Sequence, residues 1–244
     1  SDPANEFIWD TYTYSRHHLC VFLAHFLKCC NSPAMAVAGA GLSAKTRLGL
    51  FDLLSVWAAV DVRFKEESVQ KRITAEIEAA SKGLPKRKEQ ITKSILDYNA
   101  YLCYAATAAI AALGLGLTDD PRTNSRMLAW AEALILRTLR AKRKEWAKPR
   151  RACELAKANA MEVLKSFLLN AQNEGVRAAC IAGYIEKCYS STQAVSEAYF
   201  GVLTDVAAHP EGGKLLFTVE NALAAYLHLG LYMSLSVNQQ IRRK

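Results

Sequence analysis

The stretch Gly39-Ala40-Gly41-Leu42-Ser43-Ala44-Lys45-Thr46 sets a lysine and a hydroxyl at the spacing of a phosphate-binding GxxxxGK[ST] loop, with Ala44 where the second glycine belongs. That glycine lets the backbone wrap its amides around phosphate, and the loop needs a strand before it and an acidic strand end for magnesium after it. Met35-Ala36-Val37-Ala38 is a poor strand, and no parallel-sheet pattern follows. The segment therefore reads as a small-residue connection feeding a helix capped by Ser43, with a nucleotide- or NAD-binding enzyme on residues 39–46 as the alternative.

The second concentration of chemistry is charge. Formal net charge is +8, from 31 Lys and Arg against 23 Asp and Glu, and most of the excess sits in one place. Arg137, Arg140, Lys142, Arg143, Lys144, Lys148, Arg150 and Arg151 face Glu145 alone. A local patch attracts a partner where a diffuse excess only keeps a protein in solution. Arg140, Lys142, Arg143, Lys144, Lys148, Arg150 and Arg151 are thus the candidate partner-binding residues, for an acidic protein segment first and an anionic membrane second. Trp146 is the one interleaved aromatic, and a platform for single-stranded nucleic acid uses several. A basic nucleic-acid-binding helical protein is accordingly the last reading of this patch.

Acid–base or nucleophilic catalysis needs convergent polar groups, but His17, His18, His25, His209 and His228 are scattered, with no carboxylate-plus-nucleophile pattern around them. Gly39-Ala40-Gly41-Leu42-Ser43 also echoes the start of the sirtuin cofactor loop, without the zinc cysteines and dinucleotide-fold strands that such an enzyme requires. The seven cysteines stand singly except for Cys29-Cys30 and fall among Ala and Leu, so they read as small buried residues of a reducing compartment. No CxxC or HxxxH spacing suggests a metal. These patterns predict no catalytic residue, no cofactor and no metal.

The elements that would position these residues are helices. The chain is 51% hydrophobic and 22% charged, with 12 Gly and 6 Pro, which excludes a disordered or collagen-like chain. Apolar residues recur with the 3.6-residue period almost throughout. This predicts about nine helices: about 12–30, 44–60, 63–82, 85–113, 123–147, 149–169, 175–189, 192–208 and 214–231. Leu19, Phe22, Leu23, Phe26 and Leu27 share a face of the first, and Leu48, Phe51, Leu54 and Trp57 one of the second, with Leu50 and Leu53 widening it. Val69, Ile73 and Ile77 form a thinner stripe on the third. Pro85 opens the fourth, and Gly114 and Gly116 end it. The longest apolar run, Ala105 to Leu117, has 13 residues and suits a core helix rather than a membrane span. Short connections make neighbours antiparallel, which predicts an all-α fold: an α-solenoid of helical hairpins of the HEAT or armadillo type, with an irregular helical bundle as the alternative. Residues 1–7 read as an expression remnant and residues 8–244 as a single helical-repeat segment of a larger protein.

Two stretches carry a family likeness. Thr46-Arg47-Leu48-Gly49-Leu50-Phe51-Asp52-Leu53-Leu54-Ser55-Val56-Trp57 resembles the ARxxLFxLLxxW helix of the Furry family of cell-morphogenesis scaffolds. Ala182-Gly183-Tyr184-Ile185-Glu186-Lys187-Cys188-Tyr189, then Ala194-Val195-Ser196-Glu197-Ala198-Tyr199-Phe200-Gly201-Val202-Leu203, is similar to that family's CYxxxxxvxxxYFxvL segment. The quoted residues are packing residues, and Trp57, Tyr199 and Phe200 are expected in the core. The resemblance implies a large non-enzymatic helical-repeat scaffold acting through NDR/LATS-type kinases and their Mob co-activators in polarised growth. It also implies a cytoplasmic location at the cell cortex and sites of polarised growth.

Overall fold

The computed structural model describes residues 3–31, 42–58, 74, 75, 77–136, 147–209, 212–215, 224, 225, 227, 228, 230 and 231. Among them every long element is an α-helix and none is a strand, as the helical periodicity predicts. The helices are α1 (Pro3–Cys30), α2 (Ala44–Ala58), α3 (Pro85–Ala112), α4 (Pro121–Leu136), α5 (Ala147–Leu169), α6 (Glu174–Ser190) and α7 (Gln193–Ala208). Pro3 to Phe7, read above as a remnant, are helical in continuity with the rest of α1. Val69 and Ile73 of the third predicted helix, and most of the last predicted helix, lie outside the described residues.

Several helix ends follow from single residues. The Ser43 carbonyl accepts the Arg47 N–H at 3.0 Å and its hydroxyl accepts the Thr46 N–H at 3.1 Å, which starts α2 and puts Lys45 and Thr46 in its first turn. Pro85 occupies the first turn of α3, where its missing N–H has no partner to lose. Gly114 follows the C-cap Leu113 with φ +60°, the left-handed conformation that stops the helix. The Asn173 side chain accepts the Val176 N–H at 2.9 Å and opens α6. Asp120 caps α4, its carboxylate accepting from the Arg122 and Thr123 amides and, at 2.6 Å, from the Thr123 hydroxyl. That hydroxyl and those amides hold the carboxyl below its ordinary value.

The contacts divide the chain into two compact units. Unit 1 comprises residues 1–113 and 137–159, and unit 2 comprises residues 114–136 and 160–244. In unit 1, α1 and α2 pack on α3. Asn31, just past α1, donates to the Ala112 carbonyl at 2.6 Å, and the His17 ring meets Tyr101 edge-on at 6.4 Å, so α1 and α3 run in the same direction. Arg47 at the start of α2 reaches the same end, while the Arg16 guanidinium lies 5.9 Å above the Trp57 ring, so α2 runs against both.

The buried side of α1 is Cys20, Ala24, Leu27 and Cys30. These small side chains let α1 approach α3 closely and turn its larger residues outward. Of the predicted apolar face only Leu27 is buried; Leu23 is half-buried, and Leu19, Phe22 and Phe26 are exposed. On α2, Phe51 and Leu54 are buried as predicted, Leu48 and Leu50 are half-buried, and Leu53 is exposed. Trp57, placed in the core by its period, is half-buried because its ring face supports Arg16.

Arg47 is the brace of unit 1. Its guanidinium donates to the Leu42 carbonyl at 3.1 Å, the Leu113 carbonyl at 2.5 Å and Asn31 Oδ1 at 2.9 Å. One planar fork therefore ties the ends of α1 and α3 to the entry of α2, next to carbonyls that an α-helix leaves without intrahelical partners. Arg47→Met should cost about 2–4 kcal/mol of stability, and Arg47→Lys should recover less than half of that, because one ammonium cannot span three separated acceptors. Urea unfolding midpoints of the two variants check this.

Unit 2 joins α6 and α7 through Ser191 and Thr192 into an antiparallel hairpin, with α4 also against α7. Tyr199 on α7 is buried, as predicted, whereas Phe200 beside it is half-buried. The extended segment 114–120 runs beside the end of α5. Leu117 N–H donates to the Phe167 carbonyl at 3.1 Å, and the Leu117 carbonyl accepts the Gln172 N–H at 2.9 Å.

Candidate functional site

The structure treats the predicted basic residues unevenly. Arg140, Lys142, Arg143 and Lys144 lie outside the described residues, as does Trp146. Lys148 and Arg150 belong to the first turn of α5, and Arg151 follows on the same helix with its side chain exposed. Gly39, Ala40 and Gly41 of the phosphate-loop look-alike are also outside the described residues.

The histidines do not converge on one site. His17 is half-buried and edge-on to His18 at 5.4 Å; burial, and then the neighbouring His18, lower its pKa. His25 is exposed on α1, His209 is the exposed C-cap of α7, and His228 pairs through Nδ1 with the Tyr189 hydroxyl at 2.8 Å. Among the described residues no group of three His, Cys, Asp or Glu is arranged to hold a metal. No helix among them is long and apolar enough to cross a membrane.

Unit 2 holds an open groove of about 600 Å³. One wall comes from α4 and the segment before it, through Leu117, Thr118, Pro121, Asn124, Ser125 and Leu128. The other comes from α6, through Val176, Ala179, Cys180, Gly183, Tyr184 and Lys187, with Tyr199 of α7 between them. On α6 these positions recur at helical spacing, and the small Ala179 and Gly183 keep the groove open. A Cβ added at Gly183 would meet nothing within 4 Å.

The polar groups around this groove are occupied with one another. Glu132 of α4 accepts the Tyr199 hydroxyl at 2.7 Å on Oε1 and the Lys187 ammonium at 3.0 Å on the same oxygen. Tyr184 donates to the Leu164 carbonyl at 2.8 Å, and its ring meets Tyr199 edge-on at 4.8 Å. At the mouth, Asn173 Nδ2 donates to Asp119 Oδ1 at 2.7 Å, and the Asn124 side chain accepts the Thr118 N–H at 2.9 Å and donates to the Thr118 carbonyl at 2.7 Å. Burial, and next the bond to Glu132, push the Tyr199 phenol further above its ordinary value. Burial does the same to Tyr184. The Cys180 thiol is pushed up to about 12, again by burial. Both phenols and the thiol therefore stay protonated near neutrality and act as packing and hydrogen-bonding groups.

Sequence reasoning misses Glu132, and it includes Tyr184 and Lys187 only as residues of the family-like stretch 182–189. The available signal was Glu132 itself, a lone carboxylate in the Ala-rich and Leu-rich run Leu128-Ala129-Trp130-Ala131-Glu132-Ala133-Leu134. A charge on the apolar side of a helix needs a partner from another element.

The cysteines largely match their sequence reading. Cys20, Cys30, Cys103, Cys153, Cys180 and Cys188 are buried, and Cys29 is exposed. Burial pushes Cys20 and Cys103 up to about 12 and Cys188 to about 11, with Cys153 adding to the shift at Cys103. The attacking species is the thiolate. Brief treatment of the folded protein with iodoacetamide should therefore modify Cys29, and the other six only after unfolding. Peptide mass spectrometry reads the outcome, and rapid labelling of Cys103 or Cys180 would contradict the packing described.

Compared with known proteins, the chain matches no family model, no curated protein and no solved structure.

Proposed function

We propose that this chain is a non-enzymatic helical-repeat scaffold that binds partner proteins. The groove of unit 2 carries the reading. Its polar groups pair with each other, Lys187 and Tyr199 on Glu132 and Asn173 on Asp119, so that shape and apolar surface are what it offers a partner. Unit 1 adds support: α1 and α3 lie side by side in one direction with α2 running against them, the relation that stacked helical hairpins produce. A HEAT or armadillo-type solenoid is the finer architecture proposed.

The resemblance to the Furry family narrows the partners to NDR/LATS-type kinases and Mob co-activators, working in the cytoplasm at the cell cortex and at sites of polarised growth. Of the motif residues, Phe51, Leu54, Cys188, Tyr199, Val202 and Leu203 are buried, Trp57 and Phe200 are half-buried, Leu53 and Tyr189 are exposed, and Arg47 is a brace. The basic cluster from Arg140 to Arg151 is proposed as the electrostatic docking surface, for an acidic protein segment before an anionic membrane. Steering by such a patch makes association salt-sensitive and its on-rate dependent on charge.

The test is capture of kinase–Mob pairs, acidic liposomes and single-stranded RNA by the intact chain and by a variant with Arg143, Lys144, Arg150 and Arg151 all changed to Glu. Salt-sensitive capture of a kinase–Mob pair, lost in the variant, is the expected result. Capture of RNA alone would move the protein to the nucleic-acid reading. A saturable thermal shift with ATP or NAD that Lys45→Ala abolishes would revive the enzyme.

A further inference from the structure

We draw no further inference here: the strongest candidate, the exposed apolar face of α1 where Leu19 stands beside the stacked rings of Phe22 and Phe26, carries none, because nothing in the structure shows what covers it.

Discussion

Replacing Gly116 by alanine should unfold unit 2 more readily by about 3–5 kcal/mol, a penalty reserved for changes that displace backbone. A Cβ at Gly116 would stand 1.5 Å from the Asn170 carbonyl oxygen and 2.2 Å from its carbon. Those are backbone atoms at the end of α5 and cannot swing aside, so segment 114–120 must lift away. Lifting it breaks the Leu117 pair with Phe167 and Gln172, the 2.8 Å bond from Ser166 to the Leu115 carbonyl and the 3.1 Å bond from Asn170 to the Gly114 carbonyl. Each such bond contributes about 0.5–1.5 kcal/mol, and Leu115 and Leu117 lose their burial as well. Gly183→Ala is the matched control. It sits within α6 with open space at its Cβ, and it should stabilise by about 0.5–1 kcal/mol through helix propensity. Chemical denaturation of both variants, with hydrogen exchange at Leu117 and Gln172, measures the contrast. A Gly116→Ala variant as stable as wild type would show that the segment does not lie where it is described.

How far these features can be read from the sequence depends on whether their cause is local. Ser43 before an apolar run, Pro85 after Gly83-Leu84, Gly114 after an Ala-rich helix and Asn173 before Glu174 act within one turn, and the structure puts helix ends at each. Gly116 could be read as part of the same helix stop, but its particular need for glycine comes from Asn170, 54 residues on, and no local pattern reports it. Arg47 is similar. It looks like one more residue of a motif, and its three acceptors come from Asn31, Leu42 and Leu113.

Periodicity failed most on α1. The apolar residues between Leu19 and Cys30 cover well over half of the helix circumference, and a moment over so wide a face points to its middle rather than to the side that packs. Which side is buried is decided by how closely α3 can come, and Cys20 and Ala24 permit a closer approach than Phe22 and Phe26. The outcome is an exposed aromatic ridge where a buried stripe is predicted. In the groove, Glu132 meets Lys187 and Tyr199, 55 and 67 residues away. A lone carboxylate announces that it needs a partner, but the partner is chosen by the packing of three helices.

Tyr199→Ala should cost about 3–5 kcal/mol, the range for removing a large buried aromatic ring. The ring is 1% exposed, packs edge-on against Tyr184, and its hydroxyl anchors Glu132. Truncation would open a cavity beneath the groove and leave Glu132 to Lys187, whose side chain is 44% exposed and holds an ion pair that water screens. Tyr199→Phe keeps the ring and loses one hydrogen bond to a charged acceptor, so it should cost about 1–2 kcal/mol. In a Glu132→Ala background that smaller cost should change by at least about 0.5 kcal/mol, because the two side chains act as one unit. Urea titrations of the four-member cycle give the coupling. Equal costs for Tyr199→Ala and Tyr199→Phe would mean that the ring contributes no packing. The same pair of variants separates packing from recognition, since Tyr199→Phe preserves the shape and apolar surface that the scaffold reading assigns to the groove. It should therefore capture a groove partner as wild type does, and loss of capture at near wild-type stability would make the phenol hydroxyl a contact in its own right.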